Sequence, residues 1–319
     1  MKHTLKVGET SAAPGGKVRG RLAVATAGVS TIEMPFTVIN GDQDGPIFAV
    51  TAGVHGTEYA GIEATMRLAK TIEPEDLSGA MVLVHIVNVP SFEARSPFLC
   101  PLDGLNVNRV FPGSAEGSMS HRLAHTVFSQ VVAKADYYVD LHSGDIPEEH
   151  IDVTYYPMLG SKTDTIAEKM ARNFSTSYIE RFSVSGASAT EACRMGVPAI
   201  VSESGELGKL EEHAVNFHLD GVVNLMRTFK LLREPPKPTN PRILGDRVIV
   251  RANNGGFLHR KVKTGTSVSK GEILGEIVSI YGDTMATLTA PIEGVILMAY
   301  PSPAVNAGDY LFCICPLES

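Results

Sequence analysis

Pro46-Ile-Phe-Ala-Val-Thr-Ala-Gly-Val-His-Gly-Thr-Glu-Tyr59 reads as a strand, a glycine turn and the first residues of a helix. The apolar run Pro46–Thr51 has the length of a buried strand, and Ala52-Gly53 ends it. From Glu58 to Ile72 the period changes, with Ile62, Met66 and Ala69 on one helical face. The order then repeats. Strands are expected at Ala80–Val89, Tyr137–Leu141 and Ala199–Ser202, and helices at Ser120–Ala133, Lys162–Phe174, Ala187–Met195 and Lys209–Leu232. Alternating strands and helices predict a mostly parallel or mixed sheet covered on both faces. In such sheets ligands bind beyond the carboxyl ends of the strands.

The chain is long for one hydrophobic core: 319 residues, where single cores stop growing near ~250–300. A division is expected at Arg233-Glu-Pro-Pro-Lys-Pro-Thr-Asn-Pro241, because four prolines in nine residues forbid continued helix and favour a stiff extended link. Residues 1–235 then form an α/β unit and residues 241–319 a smaller one. In the second unit short alternating runs are punctuated by Gly265, Gly271, Gly282-Asp283, Gly294 and Gly308-Asp309, the texture of a small all-β sandwich or barrel. Val262–Ile277 with Ala290–Ile296 resembles the barrel-sandwich hybrid of biotinyl and lipoyl carriers. Yet Asp283-Thr-Met-Ala-Thr-Leu-Thr289 has no lysine to modify, which argues against a carrier.

The formal charge of −7 lies wholly before residue 241, since the later residues carry seven Lys plus Arg and seven Asp plus Glu. Nine of the ten His lie there too. No basic stripe suggests nucleic acid as partner. The opening residues have no apolar h-region and no run approaches ~18 apolar residues, so a cytoplasmic protein without a membrane span is expected. Cys100, Cys193, Cys313 and Cys315 are too few and scattered for a disulfide framework and read as reduced core thiols.

Four stretches place a metal-competent or charged residue where a strand ends or a loop begins. His55 and Glu58 lie three apart at a strand-to-helix turn, so both can reach one ion, and imidazole nitrogen with carboxylate oxygen suits zinc. His142, in Asp140-Leu-His-Ser-Gly144, can supply the third ligand of a His₂Glu site with an open position. Asp140 alternates to the same side and can orient a ligand. Asn108-Arg109, within Asp103–Gly113, suits an anionic substrate group, because Arg binds carboxylates bidentately. Glu203, at the end of Pro198-Ala-Ile-Val-Ser-Glu203, can take a proton from water activated by the ion, with Glu206 as its rival. Each has an ordinary alternative, such as a solvated strand-end Glu or a surface loop Arg; it is their conjunction in one unit that points to chemistry.

In this order the set resembles the succinylglutamate desuccinylase and aspartoacylase family, relatives of zinc carboxypeptidases. The resemblance covers approximately residues 45–230 and rests on His55 and Glu58, Asn108-Arg109, His142 and Glu203. It implies a carboxypeptidase-like α/β/α sandwich followed by a small β unit. It also implies one zinc held by His55, Glu58 and His142, a substrate carboxylate held by Asn108 and Arg109, and water promoted by Glu203. The family often has a further Arg before Asn-Arg, polarising the scissile carbonyl. Here Phe98–Asp103 lacks one, and Arg95 stands at a different spacing, so that role is not assigned.

The expected activity is zinc-dependent hydrolysis of an N-acyl amino acid or similar small amide. The alternatives are a metallocarboxypeptidase acting on peptides and a non-catalytic metal-binding scaffold. For the β unit two roles stand open, narrowing access to the site or building a homo-oligomer interface.

Overall fold

The computed structural model describes residues 3–318. Its centre is a nine-stranded mixed sheet. From one edge to the other its strands are Arg242–Leu244, Tyr178–Arg181, Val153–Tyr156, Ala199–Glu203, Tyr137–His142, Gln43–Ala52, Ser78–Val84, Ser30–Asn40 and Gly16–Ala27. Phe48–Ala52, Gly79–Val84 and Tyr138–His142 are buried without interruption, as strands are when helices cover both faces of their sheet. The architecture is the carboxypeptidase-like α/β/α sandwich.

The helix expected from Glu58 runs Tyr59–Thr71 and buries Gly61, Ile62, Ala64, Thr65, Leu68 and Ala69. Met66 does not join that face; it is 48% exposed, because the stripe runs through Gly61, Thr65 and Leu68 and leaves Met66 about 100° round from Thr65. The expected strand Ala80–Val89 stops at Val84. Asn88 instead accepts from the Ser91 amide (3.2 Å) and Pro90 sits in the first turn of a helix, Val89–Ala94, a capped start that ends any strand. The other seven elements expected before residue 235 lie within a few residues of their expected limits, the last helix being Glu212–Thr228.

Several strands have no counterpart in the sequence reading. Gly16–Ala27 and Ser30–Asn40 form a long antiparallel hairpin at one edge of the sheet, turning at Gly28 with φ +60. Val153–Tyr156 and Tyr178–Arg181 complete the other side.

Residues 235–241 form neither helix nor strand, and the buried carboxamide of Asn224 anchors Lys237 among them. It accepts from the Lys237 amide (2.7 Å) and donates to the Lys237 carbonyl (3.1 Å). The next strand, Arg242–Leu244, pairs in parallel with Tyr178–Glu180. Beyond it two antiparallel sheets face each other around Leu258, Ile277, Ile296 and Phe312. One of them takes in Glu149–His150, which pairs with Met298–Ala299. The small β unit is therefore stitched to the large one at two places, and Glu149–His150 is only seven residues past His142. All four cysteines are buried and free. No helix among the described residues is long and apolar enough to cross a membrane.

Candidate active site

Three neighbouring parallel strands, Gln43–Ala52, Tyr137–His142 and Ala199–Glu203, end on one crevice. Their register sets Thr51 beside Asp140 and His142 beside Glu203. The turn after Ala52 brings His55 and Glu58 to the same place. Gly53 takes φ +65, and Gly56 lies so close to the helix Val89–Ala94 that a Cβ would stand 2.1 Å from the Phe92 nitrogen.

Glu58 is 2% exposed and bridges two imidazoles. His55 Nδ1 lies 2.6 Å from its Oε1 and His142 Nδ1 lies 2.8 Å from its Oε2. The other nitrogens are held from behind, His55 Nε2 at 3.1 Å from the Asn106 Oδ1 and His142 Nε2 at 3.0 Å from the Asp140 Oδ2. Ligand atoms of the three residues lie within 4.8 Å of one another. Acceptors behind the rings favour protons on the Nε2 atoms, so in neutral imidazoles both Nδ1 lone pairs turn toward a carboxylate. That arrangement needs positive charge at its centre, and two nitrogens with one carboxylate form a donor set suited to zinc. The electrostatics agree. Burial pushes Glu58 up, but the two imidazoles outweigh it and hold the carboxyl at about 2. Burial pushes both imidazoles down, and carboxylates outweigh it, Glu58 for His55 and Asp140 with Glu58 for His142.

Asp140 is fully buried and takes, besides His142, the Thr51 hydroxyl (2.6 Å) and the Ser188 hydroxyl. Ser188 opens the helix Ser188–Arg194, and its amide donates to the Asn108 Oδ1 (2.8 Å). A continuous path thus runs from His142 through Asp140 and Ser188 to Asn108. The Asn108 carboxamide oxygen is committed to that path. Arg109 donates to the Asn108 carbonyl (2.7 Å) and, with Asn108, lines the cavity.

Glu203 lines the same cavity, of about 190 Å³, and no hydrogen bond or ion pair among the described residues engages its carboxylate. Burial first, and then the Glu58 charge, push its pKa well above the ordinary carboxyl range. Glu206 is not among the residues lining this cavity. The structure therefore brings together His55, Glu58, Asn108, Arg109, His142 and Glu203, all six residues singled out from the sequence.

Other residues of the site carried no signal that reading used. Asn106, the partner of His55, lies in the quoted loop and was open to being found there. Phe98 sets its ring edge-on to His55 (5.8 Å, 81°) from a left-handed φ of +54, secured by its amide donating to Asp145 (2.7 Å). Arg247 reaches the cavity from the C-terminal unit, pinned by two bonds to Glu180 (2.6 and 3.0 Å) and lying 3.9 Å from the Phe182 ring centroid. Glu148 lines the cavity too.

Residues 44–229 match the model of the succinylglutamate desuccinylase/aspartoacylase catalytic domain. The N-alpha-acetyl-L-2,4-diaminobutyric acid deacetylase of Halomonas elongata is 26% identical over 294 residues, covering 89% of this chain and 85% of its own. Among solved structures, the fold is shared with a succinylglutamate desuccinylase/aspartoacylase from Rhodobacter sphaeroides, with TM-score 0.86, 24% identity, and 95% and 96% of the two chains covered. It is shared equally with a product-bound ectoine utilization protein, EutE (DoeB), from Ruegeria pomeroyi, with TM-score 0.86, 22% identity, and 94% and 95% covered. With its family model spanning more than half the sequence, this chain belongs to the succinylglutamate desuccinylase/aspartoacylase family.

Proposed function

We propose that the protein is a zinc-dependent deacylase that hydrolyses the amide bond of N-acyl amino acids. One observation carries the reading: two imidazole Nδ1 atoms converge on the Glu58 carboxylate while a second carboxylate, Glu203, stands unengaged beside His142 in the same cavity. The Halomonas relative, whose name specifies an N-acetylated amino acid, supports the substrate class. A cavity of about 190 Å³ suits a small amide better than a peptide, given that drug-sized ligands occupy roughly 300–1,000 Å³.

His55, Glu58 and His142 would hold the ion, with Asn106 and Asp140 fixing the two rings. When bound, zinc supplies a Lewis acid that lowers the pKa of water to roughly 7 and polarises a carbonyl. Glu203 takes the proton of the attacking water and delivers it to the departing amine nitrogen. Arg109 grips the substrate carboxylate, its guanidinium steadied by the Asn108 carbonyl (2.7 Å), so that the amide is aligned before reaction. In this reading residues 1–235 carry the chemistry, and residues 241–319 close one side of the cavity with Arg247 and Met298. Purified protein is expected to contain about one zinc per chain, and Glu203→Ala to keep that metal while losing hydrolysis of an N-acetyl amino acid panel. Full activity in that variant removes Glu203 from the mechanism.

A further inference from the structure

The charges around the cavity nearly all have partners or tasks. Arg247 is paired with Glu180, Glu58 faces two imidazoles, and Asp140 is bonded to His142 and two hydroxyls. Asp145 accepts from the Thr57 hydroxyl and from the amides of Phe98 (2.7 Å) and Ile146 (2.6 Å). Arg109 and Glu203 belong to the proposed reaction. Glu148 remains. Among the described residues it makes no ion pair, and it lies outside the His55–Glu58–His142 group. Burial and then the Glu58 charge push its carboxyl up to about 7, against the opposing charge of His55 and the Asp145 amide. Such a group is costly to keep without a counter-ion.

Its position is informative. Phe98, Glu148, Arg247 and Met298 line both the site cavity and a second cavity of about 360 Å³, whose far side is Tyr300, Asp309 and Tyr310 of the C-terminal unit. Glu148 therefore stands where a substrate side chain leading away from the reacting amide would pass. Arg109, the proposed carboxylate clamp, senses its charge. An anion grip and an uncompensated carboxylate in one small cavity complement a molecule that carries both signs. In an N-acyl amino acid the α-nitrogen is an uncharged amide, so the positive charge must sit on the side chain.

We propose that Glu148 is a specificity-determining residue that receives a side-chain ammonium, so that the preferred substrates are N-acyl derivatives of diamino acids; the inference rests on the deacylase reading above. The test uses metal-loaded enzyme and two matched pairs, Nα-acetylornithine against N-acetylnorleucine and Nα-acetyl-2,4-diaminobutyrate against N-acetylnorvaline, which differ only in ammonium versus methyl. Wild type should favour the ammonium member in kcat/KM. Glu148→Gln should cut that ratio by about 10- to 100-fold, the usual worth of a hydrogen bond to a charged group. Glu148→Asp, which keeps the charge, should retain part of the preference. No preference in wild type, or an unaltered ratio in Glu148→Gln, overturns the proposal. So does an equal fall for both members of a pair, which would give Glu148 to the departing α-amine that all of them share. Calorimetric binding of free ornithine against norleucine supplies an arm without turnover. A preference for ornithine that Glu148→Gln abolishes supports the ammonium site even if no amide is hydrolysed, in which case the deacylase reading alone fails. Equal binding of the two by wild type overturns it.

Discussion

The protein has two kinds of buried histidine. At the crevice, His55 and His142 face carboxylates and are pushed toward the charged form. Elsewhere, the half-buried His85 and the buried His150 and His218 face hydroxyls and a carbonyl: Thr37 and Thr65 for His85, Tyr155 and the Ile151 carbonyl for His150, and Ser202 for His218. Burial pushes these three down, to about 4, 4 and 3. The difference teaches that burial alone does not make a metal ligand. A carboxylate in front, with a fixed acceptor behind, is what leaves an imidazole needing a cation.

The sharpest way to break this comparison is to remove one histidine of each kind. His142→Ala leaves Glu58 and His55 without the third donor and should abolish both zinc content and hydrolysis. His218→Gln should keep the metal, although the two histidines sit close enough for their charges to interact. Equal zinc loss in both variants, measured by metal analysis of the purified proteins, would mean that facing a carboxylate does not distinguish the ligands.

Glu203 comes next. It is a carboxylate without the imidazole partners that hold Glu58 ionised, and its proposed task is to carry a proton rather than a metal. Glu203→Gln should leave zinc stoichiometric and lower kcat by about 10²- to 10⁴-fold, the range of general acid–base catalysis. Loss of metal from this variant would move Glu203 from proton carrier to ligand.

A smaller effect is expected at Ser188, which touches no ligand atom directly. Its hydroxyl meets Asp140 and its amide meets Asn108, so it joins the support of His142 to that of the Arg109 loop. Ser188→Ala deletes the first link only. Zinc affinity should fall by about tenfold, as for other partners behind a metal-bound histidine, while the KM for a carboxylate-bearing substrate stays within about twofold. A raised KM with unaltered zinc affinity would show that the path serves substrate binding instead.

How much of this was legible in the chain follows from range. The end of strand Gln43–Ala52, its glycine turn and the start of the next helix are written in fourteen consecutive residues, and the four residues assigned to metal and proton transfer lie at or just beyond strand ends marked by short motifs. Local periodicity and turn chemistry suffice there. The hairpin Gly16–Asn40 escaped notice because its first strand alternates weakly, with many exposed positions at the sheet edge, although Gly28 marked its turn. Ser188, Glu148 and Arg247 were not legible for a different reason. Ser188 reaches Asp140 across 48 residues and Arg247 reaches Glu180 across 67. Only the register of distant strands and the return of the C-terminal unit bring such pairs together.

The smallest effect concerns the neutral histidines, and its sign follows from linkage. With folded pKa values of about 3 to 4 against an ordinary value near 6.5, His85, His150 and His218 bind protons in the unfolded chain before they do in the folded one. Unfolding therefore takes up protons as pH falls through 6.5, and the stability these groups contribute is complete above that value and lost progressively down toward 3 to 4. For His218 alone the loss between pH 8 and pH 6 should be about 0.8 kcal/mol. Urea unfolding of wild type and His218→Gln at the two pH values isolates it, because titrations common to both proteins cancel in the difference. The wild type should lose the larger share of its stability. If the variant loses as much, His218 carries its proton equally in both states, and the division between charged and neutral buried histidines does not extend to it.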